Sequence, residues 1–265
     1  MHPLLNIGIR AARRAGDIII RNINRLDSIK VSTKGRNDFV SEVDRQAEAD
    51  IIETIRRSYP EHAFLAEERG SEGSSEFVWI IDPLDGTTNY LHGFPVFAVS
   101  IAVAYRDRLE HAVVYDPMRQ ELFTASRGVG AQLDGRRIRV SGQRNLDSAL
   151  IGTGFPFRGK ETWLDTYMPM LKAVIASTAG VRRPGAASLD LASVAAGRLD
   201  GFWELGLQPW DMAAGSLLIQ EAGGIVTSLS GADDYLRCGQ ILTGNARIHD
   251  ALSALLSPLL PTEPA

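Results

Sequence analysis

Two aspartates stand three residues apart in WIIDPLDGTTNY, residues 79 to 90: Asp82 closes an apolar run and Asp85 follows it. Pro83 and Gly86 predict a bend between and beyond them. Carboxylates crowded together repel one another unless a cation neutralises them. Other acids stand in comparable places. Glu67 and Glu68 follow the apolar run AFLA, and Asp211 falls in the first turn of the helix expected from PWDMAAG. Asp44 lies in SEVD, which has capping-box spacing from Ser41. Each has an ordinary explanation alone: a DG turn, a solvated pair, a charge at the positive end of a helix dipole, a cap. Together they form a set of hard oxygen donors at the ends of elements, where loops project from a rigid scaffold. Such a set suits Mg²⁺ or Mn²⁺ rather than zinc. The turn adds the Leu84 carbonyl and the Thr87 hydroxyl, and the Gly86 and Thr87 amides could face an anion. Metal plus anion cradle points to a phosphate ester.

Composition narrows the setting. The 265 residues carry a formal net charge of -4, which speaks against a mainly electrostatic nucleic-acid binder. The single cysteine, Cys238, allows no intrachain disulfide, and with five histidines leaves zinc few ligands. The N-terminal stretch reads as an amphipathic helix without the unbroken apolar core of a signal peptide, and no window approaches a membrane span. A soluble cytoplasmic protein is expected. GFPFRGKE resembles a P-loop but lacks the Ser/Thr after lysine; DPLDGT is no EF-hand; GxSxG, HExxH and GxGxxG are absent.

The elements that must position these acids follow from periodicity. Two helices come first, separated by a polar loop at 33 to 38. From Phe77 short Val/Ile/aromatic runs predict an antiparallel sheet, with Asp134-Gly135 as a hairpin turn. After SGQRN, strands and helices alternate. The expectation is an α/β protein with an α+β N-terminal half: residues 1–143 hold an antiparallel sheet and most of the acids, and 144–265 complete the site.

AEE at 66 to 68, DPLDGTTNY at 82 to 90, and WDMAAG with EAGG at 210 to 224 resemble the signatures of the inositol monophosphatase family, and the likeness covers nearly the whole chain. The resemblance implies the layered α-β-α-β-α sandwich shared with fructose-1,6-bisphosphatase, as a homodimer. It implies Glu67, Asp82, the Leu84 carbonyl, Asp85 and Asp211 as ligands of two or three Mg²⁺ ions. It implies that Asp44 and Thr87 orient the attacking water, with Glu67 in the catalytic set. Leu84, Asp85, Gly86, Thr87 and Asp211 would face the substrate, with Ala187 and Glu204 lining an inositol pocket and Arg182 touching the substrate. Lys34 falls in the loop that carries a lysine in relatives. Hydrolysis of myo-inositol monophosphate without a phosphoenzyme, and inhibition by lithium, follow as expectations. Other sugar or nucleotide phosphatases of the superfamily are the alternatives, although no lysine-rich insertion stands here. MHPLLNI, VVYDPMRQELFTASRGVGAQL and TGFPF resemble a bacterial branch associated with ribosomal RNA antitermination. That likeness implies a second role, in a complex with RNA polymerase and Nus factors.

Overall fold

A computed structural model describes residues 2–23, 25, 31–35, 38–156 and 163–261 of the protein. The first helix, α1 (Pro3–Asn22), starts with proline at its first turn and with His2 Nδ1 accepting from the Leu4 amide at 3.2 Å. Strands β1 (Val31–Gly35) and β2 (Asp38–Ser41) pair antiparallel where the sequence reads as a loop. Lys34 lies in β1, whose side chains fall outside those described. Helix α2 (Glu42–Arg56) follows, with the expected Ser41 cap and capping box. Leu5, Ala12, Ala15 and Ile19 of α1, and Val43, Ala47, Ile51 and Ile55 of α2, lie in one buried cluster.

That cluster covers one face of an eight-stranded sheet. Its strands are β3 (Ala63–Ala66), β4 (Gly70–Glu72), β5 (Phe77–Asp85), β6 (Ala98–Tyr105), β7 (Arg108–Asp116), β8 (Glu121–Ser126), β9 (Gly130–Leu133) and β10 (Arg136–Arg137). The order is β10-β9-β8-β7-β6-β5-β3-β4. All neighbours are antiparallel except β3 and β5, which run parallel. The β9–β10 hairpin turns at Asp134 and Gly135, both at positive φ, as the DG pair predicts. Both faces of the sheet are buried, which explains the near-continuous apolar runs. On β6, Val99, Ile101 and Val103 face α1 and α2, while Ala98, Ala102 and Ala104 face the opposite way.

Those alanines make room for the middle helical layer, α5 (Ala187–Ala195) and α6 (Pro209–Glu221). Beyond it lies a five-stranded sheet of β11 (Leu150–Thr153), β12 (Gly180–Arg182), β13 (Gly201–Leu205), β14 (Ile225–Thr227) and β15 (Gln240–Gly244), ordered β12-β11-β13-β15-β14. β11 pairs parallel with β12 and β13, and β15 is antiparallel to both its neighbours. Helices α4 (Leu164–Ser177) and α8 (Ala246–Leu256) close its outer face through Tyr167, Met170, Val174, Ile248, Leu252 and Leu256. The layers are thus helices, sheet, helices, sheet, helices. Two short helices, α3 (Thr87–Leu91) and α7 (Tyr235–Cys238), complete the set used below. Among the described residues no helix is long and apolar enough to cross a membrane.

Candidate metal centre

The chain does not leave its strand at Asp82, as the proline suggested. β5 runs on to Asp85 through a bulge: Asp82 pairs with Ser100 and Asp85 with Ala98, so three steps on β5 match two on β6. In a regular strand residues three apart point to opposite faces. The extra residue brings Asp82 and Asp85 to the same face, the one that meets α6. Proline suits the bulge, because it has no N–H to give the ladder. Leu84 points to the other side and is anchored in the cluster under α1 and α2. Its amide donates to Asp82 Oδ1 at 3.0 Å.

Gly86 then caps α3 at φ 94°, in the left-handed region. A Cβ there would also fall 2.9 Å from the Val96 carbonyl, so the turn requires glycine on two counts. α6 supplies the third acid. Its start is tied to β6 by Ser100 Oγ, which donates to the Trp210 carbonyl at 3.1 Å. Asp211 Oδ2 accepts from the Gln208 amide at 2.7 Å, which satisfies one orphan donor of the helix start. Asp82, Asp85 and Asp211 are all buried, and each places a carboxylate oxygen within 4.8 Å of the others.

Glu67 joins them from the end of β3. Its amide donates to the Ile81 carbonyl at 3.1 Å, and its side chain hydrogen-bonds with Asp82. Burial first, then the charges of Glu67, Asp85 and Asp211, hold the Asp82 carboxyl well above the usual carboxylate range. The four acids crowd negative charge into one buried place.

Asp44 serves two purposes with its two oxygens. Oδ2 accepts from the Ser41 amide at 2.9 Å and from the Ser41 hydroxyl, completing the capping box. Oδ1 accepts from Thr87 Oγ1 at 2.8 Å, and the same hydroxyl lies 3.1 Å from the Leu84 carbonyl. Burial raises the Asp44 carboxyl despite these bonds.

A second set of polar groups adjoins Asp85. The Ser188 amide and hydroxyl at the start of α5 donate to Asp85 Oδ2 at 2.7 and 2.5 Å. Ala187 is the residue before it. Glu204 is buried on β13, and its charge bears on Asp190, which is itself buried and raised well above the carboxylate range, first by burial and then by Glu204 and Asp85. Arg182 is exposed at the end of β12 and donates to the Val181 carbonyl at 3.0 Å. Its neighbour Arg183 lies over the Phe155 ring, 4.9 Å from the centroid, and its charge reaches Asp190. Ser188, Asp190 and Arg183 carry no motif that singles them out in the sequence. Ser188 and Asp190 sit in a helix start where such residues are commonplace caps, and only their place just after Ala187 offered a signal.

A five-layer sandwich with buried acids where two of its layers meet defines the protein's class. The chain belongs to the inositol monophosphatase family, whose model matches residues 1–259, and it has a phosphatase fold. Within that class it is similar to Nus factor SuhB of Pseudomonas aeruginosa, 57% identical over 98% of each chain. The extragenic suppressor protein SuhB from Bartonella henselae has the same fold, with a TM-score of 0.93 at 45% identity over 96% of this chain and 98% of that one. Inositol monophosphatase II of Staphylococcus aureus, solved with inositol monophosphate bound, is more distant, with a TM-score of 0.81 at 28% identity over 96% of this chain and 94% of that one.

Proposed function

We propose that the protein is a Mg²⁺-dependent phosphomonoesterase that hydrolyses myo-inositol monophosphate to inositol and phosphate. The convergence of Asp82, Asp85 and Asp211 carries this reading. Three buried carboxylates so close are costly without a cation, and their oxygens are the donors Mg²⁺ prefers. Glu67, Asp82 and the Leu84 carbonyl would hold one ion, and Asp82, Asp85 and Asp211 a second. A weaker third would sit near Glu67. Bound there, the metal supplies Lewis-acid polarisation of the phosphate and a lowered pKa for water.

The chain's own groups do the rest. The Thr87 hydroxyl accepts a proton from the attacking water as it passes its own to Asp44 Oδ1, 2.8 Å away. Burial of Asp44 makes that carboxylate the stronger base. As the water oxygen bonds to phosphorus, the ester P–O bond breaks; the leaving oxygen takes a proton from solvent water, and Asp44 returns the proton it received to solvent. The Gly86 and Thr87 amides at the start of α3 would face the phosphate. No phosphoenzyme is required; Cys238 is exposed on α7, which lies on the sequence well beyond the acids.

Glu204 would accept hydrogen bonds from sugar hydroxyls, beside Ala187. The space it occupies depends on Gly154, where a Cβ would fall 2.0 Å from Glu204 Oε1. The carboxylate end, being flexible, would give way before the backbone. Gly154→Ala is therefore expected to fold normally but to raise KM for inositol 1-phosphate about tenfold, with a smaller change in kcat. Steady-state kinetics beside a melting curve checks this; an unchanged KM would remove Glu204 from the pocket.

The substrate class is tested by kcat/KM for inositol 1-phosphate against 2'-AMP and fructose 1,6-bisphosphate. Inositol 1-phosphate is expected to lead by at least about tenfold, a lower bound for a pocket that hydrogen-bonds substrate hydroxyls. A lead for either of the others would point to a nucleotide or sugar phosphatase of the superfamily.

A second reading is supported by the relatives called Nus factor SuhB, at 57% and 54% identity over nearly their whole length. In it the protein also joins RNA polymerase and Nus factors in antitermination. Asp85→Asn separates the two roles: binding to polymerase that survives the loss of hydrolysis would show them independent.

A further inference from the structure

We infer that Glu48 is a positioning residue: it anchors the turn at 67–69 so that the Glu67 carboxylate is held against Asp82. The inference rests on the metal-dependent reading of the centre. Glu48 follows Asp44 by four residues on α2, so both acids lie on one face of the helix, a turn apart. Each reaches a different acid-bearing segment. Asp44 Oδ1 takes the Thr87 hydroxyl of the 84–87 turn at 2.8 Å. Glu48 Oε2 takes the Glu68 amide at 2.8 Å.

The geometry around Glu67 makes this contact matter. Two peptide groups flank the Glu67 Cα. The one before it is fixed by β5, through the Glu67 amide and the Ile81 carbonyl at 3.1 Å. The one after it is fixed by Glu48. Together they set both backbone dihedrals of Glu67 and so the direction of its side chain. Arg69, two residues on, brings its Nε to 3.6 Å from Glu48 Oε1 and fastens the same turn a second time.

Glu48 is wholly buried. A buried carboxylate is poor material for stability, since desolvation opposes it, and an apolar residue would suit the inner face of α2 better. What only an acceptor there can do is satisfy the Glu68 amide. The hydrogen bond between the Glu67 and Asp82 side chains lies among the charges of Asp85 and Asp211, which oppose a further carboxylate there, so a turn held at one end would let Glu67 swing away. Glu48 therefore keeps the ligand set assembled before metal arrives.

The test titrates the purified protein with Mn²⁺ alone and reads free ion by electron paramagnetic resonance. Glu48→Ala is expected to weaken Mn²⁺ binding by about 10-fold or more, as loss of outer partners of metal ligands does. Glu48→Gln keeps an oxygen for the Glu68 amide and is expected to stay within about threefold of wild type. Leu252→Ala, a buried truncation in α8 on the far side of the molecule, destabilises the fold without touching the turn and should leave Mn²⁺ affinity unchanged. Wild-type affinity in Glu48→Ala, with wild-type protein binding Mn²⁺ and Glu67→Gln impaired, overturns the inference and leaves the metal reading standing. Wild-type protein that binds no Mn²⁺ overturns both. Should Glu48→Ala fail to fold, Glu48→Asp withdraws the acceptor by one methylene: an intermediate loss supports the inference, and none overturns it.

Discussion

Asp82→Asn is expected to cut Mg²⁺-dependent phosphate release by about 10³-fold or more and, at the same time, to raise the melting temperature of the metal-free protein. Both effects come from one property. Asp82 is 2% exposed and lies among the charges of Glu67, Asp85 and Asp211. Asparagine has the same shape and still accepts from the Leu84 amide, so the bulge in β5 persists. What it removes is an acid that, without a cation, must either be charged among its neighbours or take up a proton, and each costs free energy in the native state. Relief of about 1 kcal/mol raises the midpoint of a chain this size by roughly 2–4 °C. With Mg²⁺ the order reverses. An ion bound only to the native state at 100 times its Kd stabilises by about 2.7 kcal/mol, and the variant forfeits that gain. A 10³-fold rate loss corresponds to about 4 kcal/mol of transition-state stabilisation, the scale of lost Lewis-acid assistance. Melting curves with chelator and with Mg²⁺, beside the rate assay, check the whole pattern. A variant less stable than wild type in chelator, yet active, would mean that the acids serve the fold.

Thr87→Val and Asp44→Asn are expected to lower kcat by about 10²–10⁴-fold with KM within about threefold. Valine matches threonine in shape but lacks the hydroxyl that donates to Asp44 Oδ1 at 2.8 Å. Asp44→Asn also weakens the Ser41 capping box, so a stability loss of about 1 kcal/mol accompanies it. The double variant should be no slower than the slower single one, because residues that act as a unit are not additive. Thr87→Ser, which keeps the hydroxyl, should retain most of the rate. Additive losses, or a serine variant as slow as valine, would assign the pair to structure alone.

Most of the acids were legible in the sequence because they break a pattern. Asp82 interrupts an apolar run, Glu67 follows one, and Asp211 opens a helix. Their meeting was not legible. It depends on a bulge that turns Asp82 and Asp85 to one face, and on α6 lying under β5 and β6 after more than a hundred intervening residues. Helix starts and the DG hairpin are local and read well. The parallel β3–β5 pair is not local, and periodicity carries no strand order. Residues 33–38 read as a loop because glycine and charge dominate there, yet β1 and β2 pair across them. Glu48 is the instructive omission. In DRQAEADIIE a glutamate beside alanine looks like a solvated face, and only its spacing of four from Asp44 hinted that it turns inward.

Phosphate release from inositol 1-phosphate, by wild type and Asp85→Asn, with Mg²⁺ and with chelator, tests the central claim most directly. Release that requires Mg²⁺ and vanishes in the variant is the predicted result: the crowded carboxylates hold metal against a phosphate. No release from folded, Mg²⁺-loaded wild type would contradict the inositol phosphatase assignment.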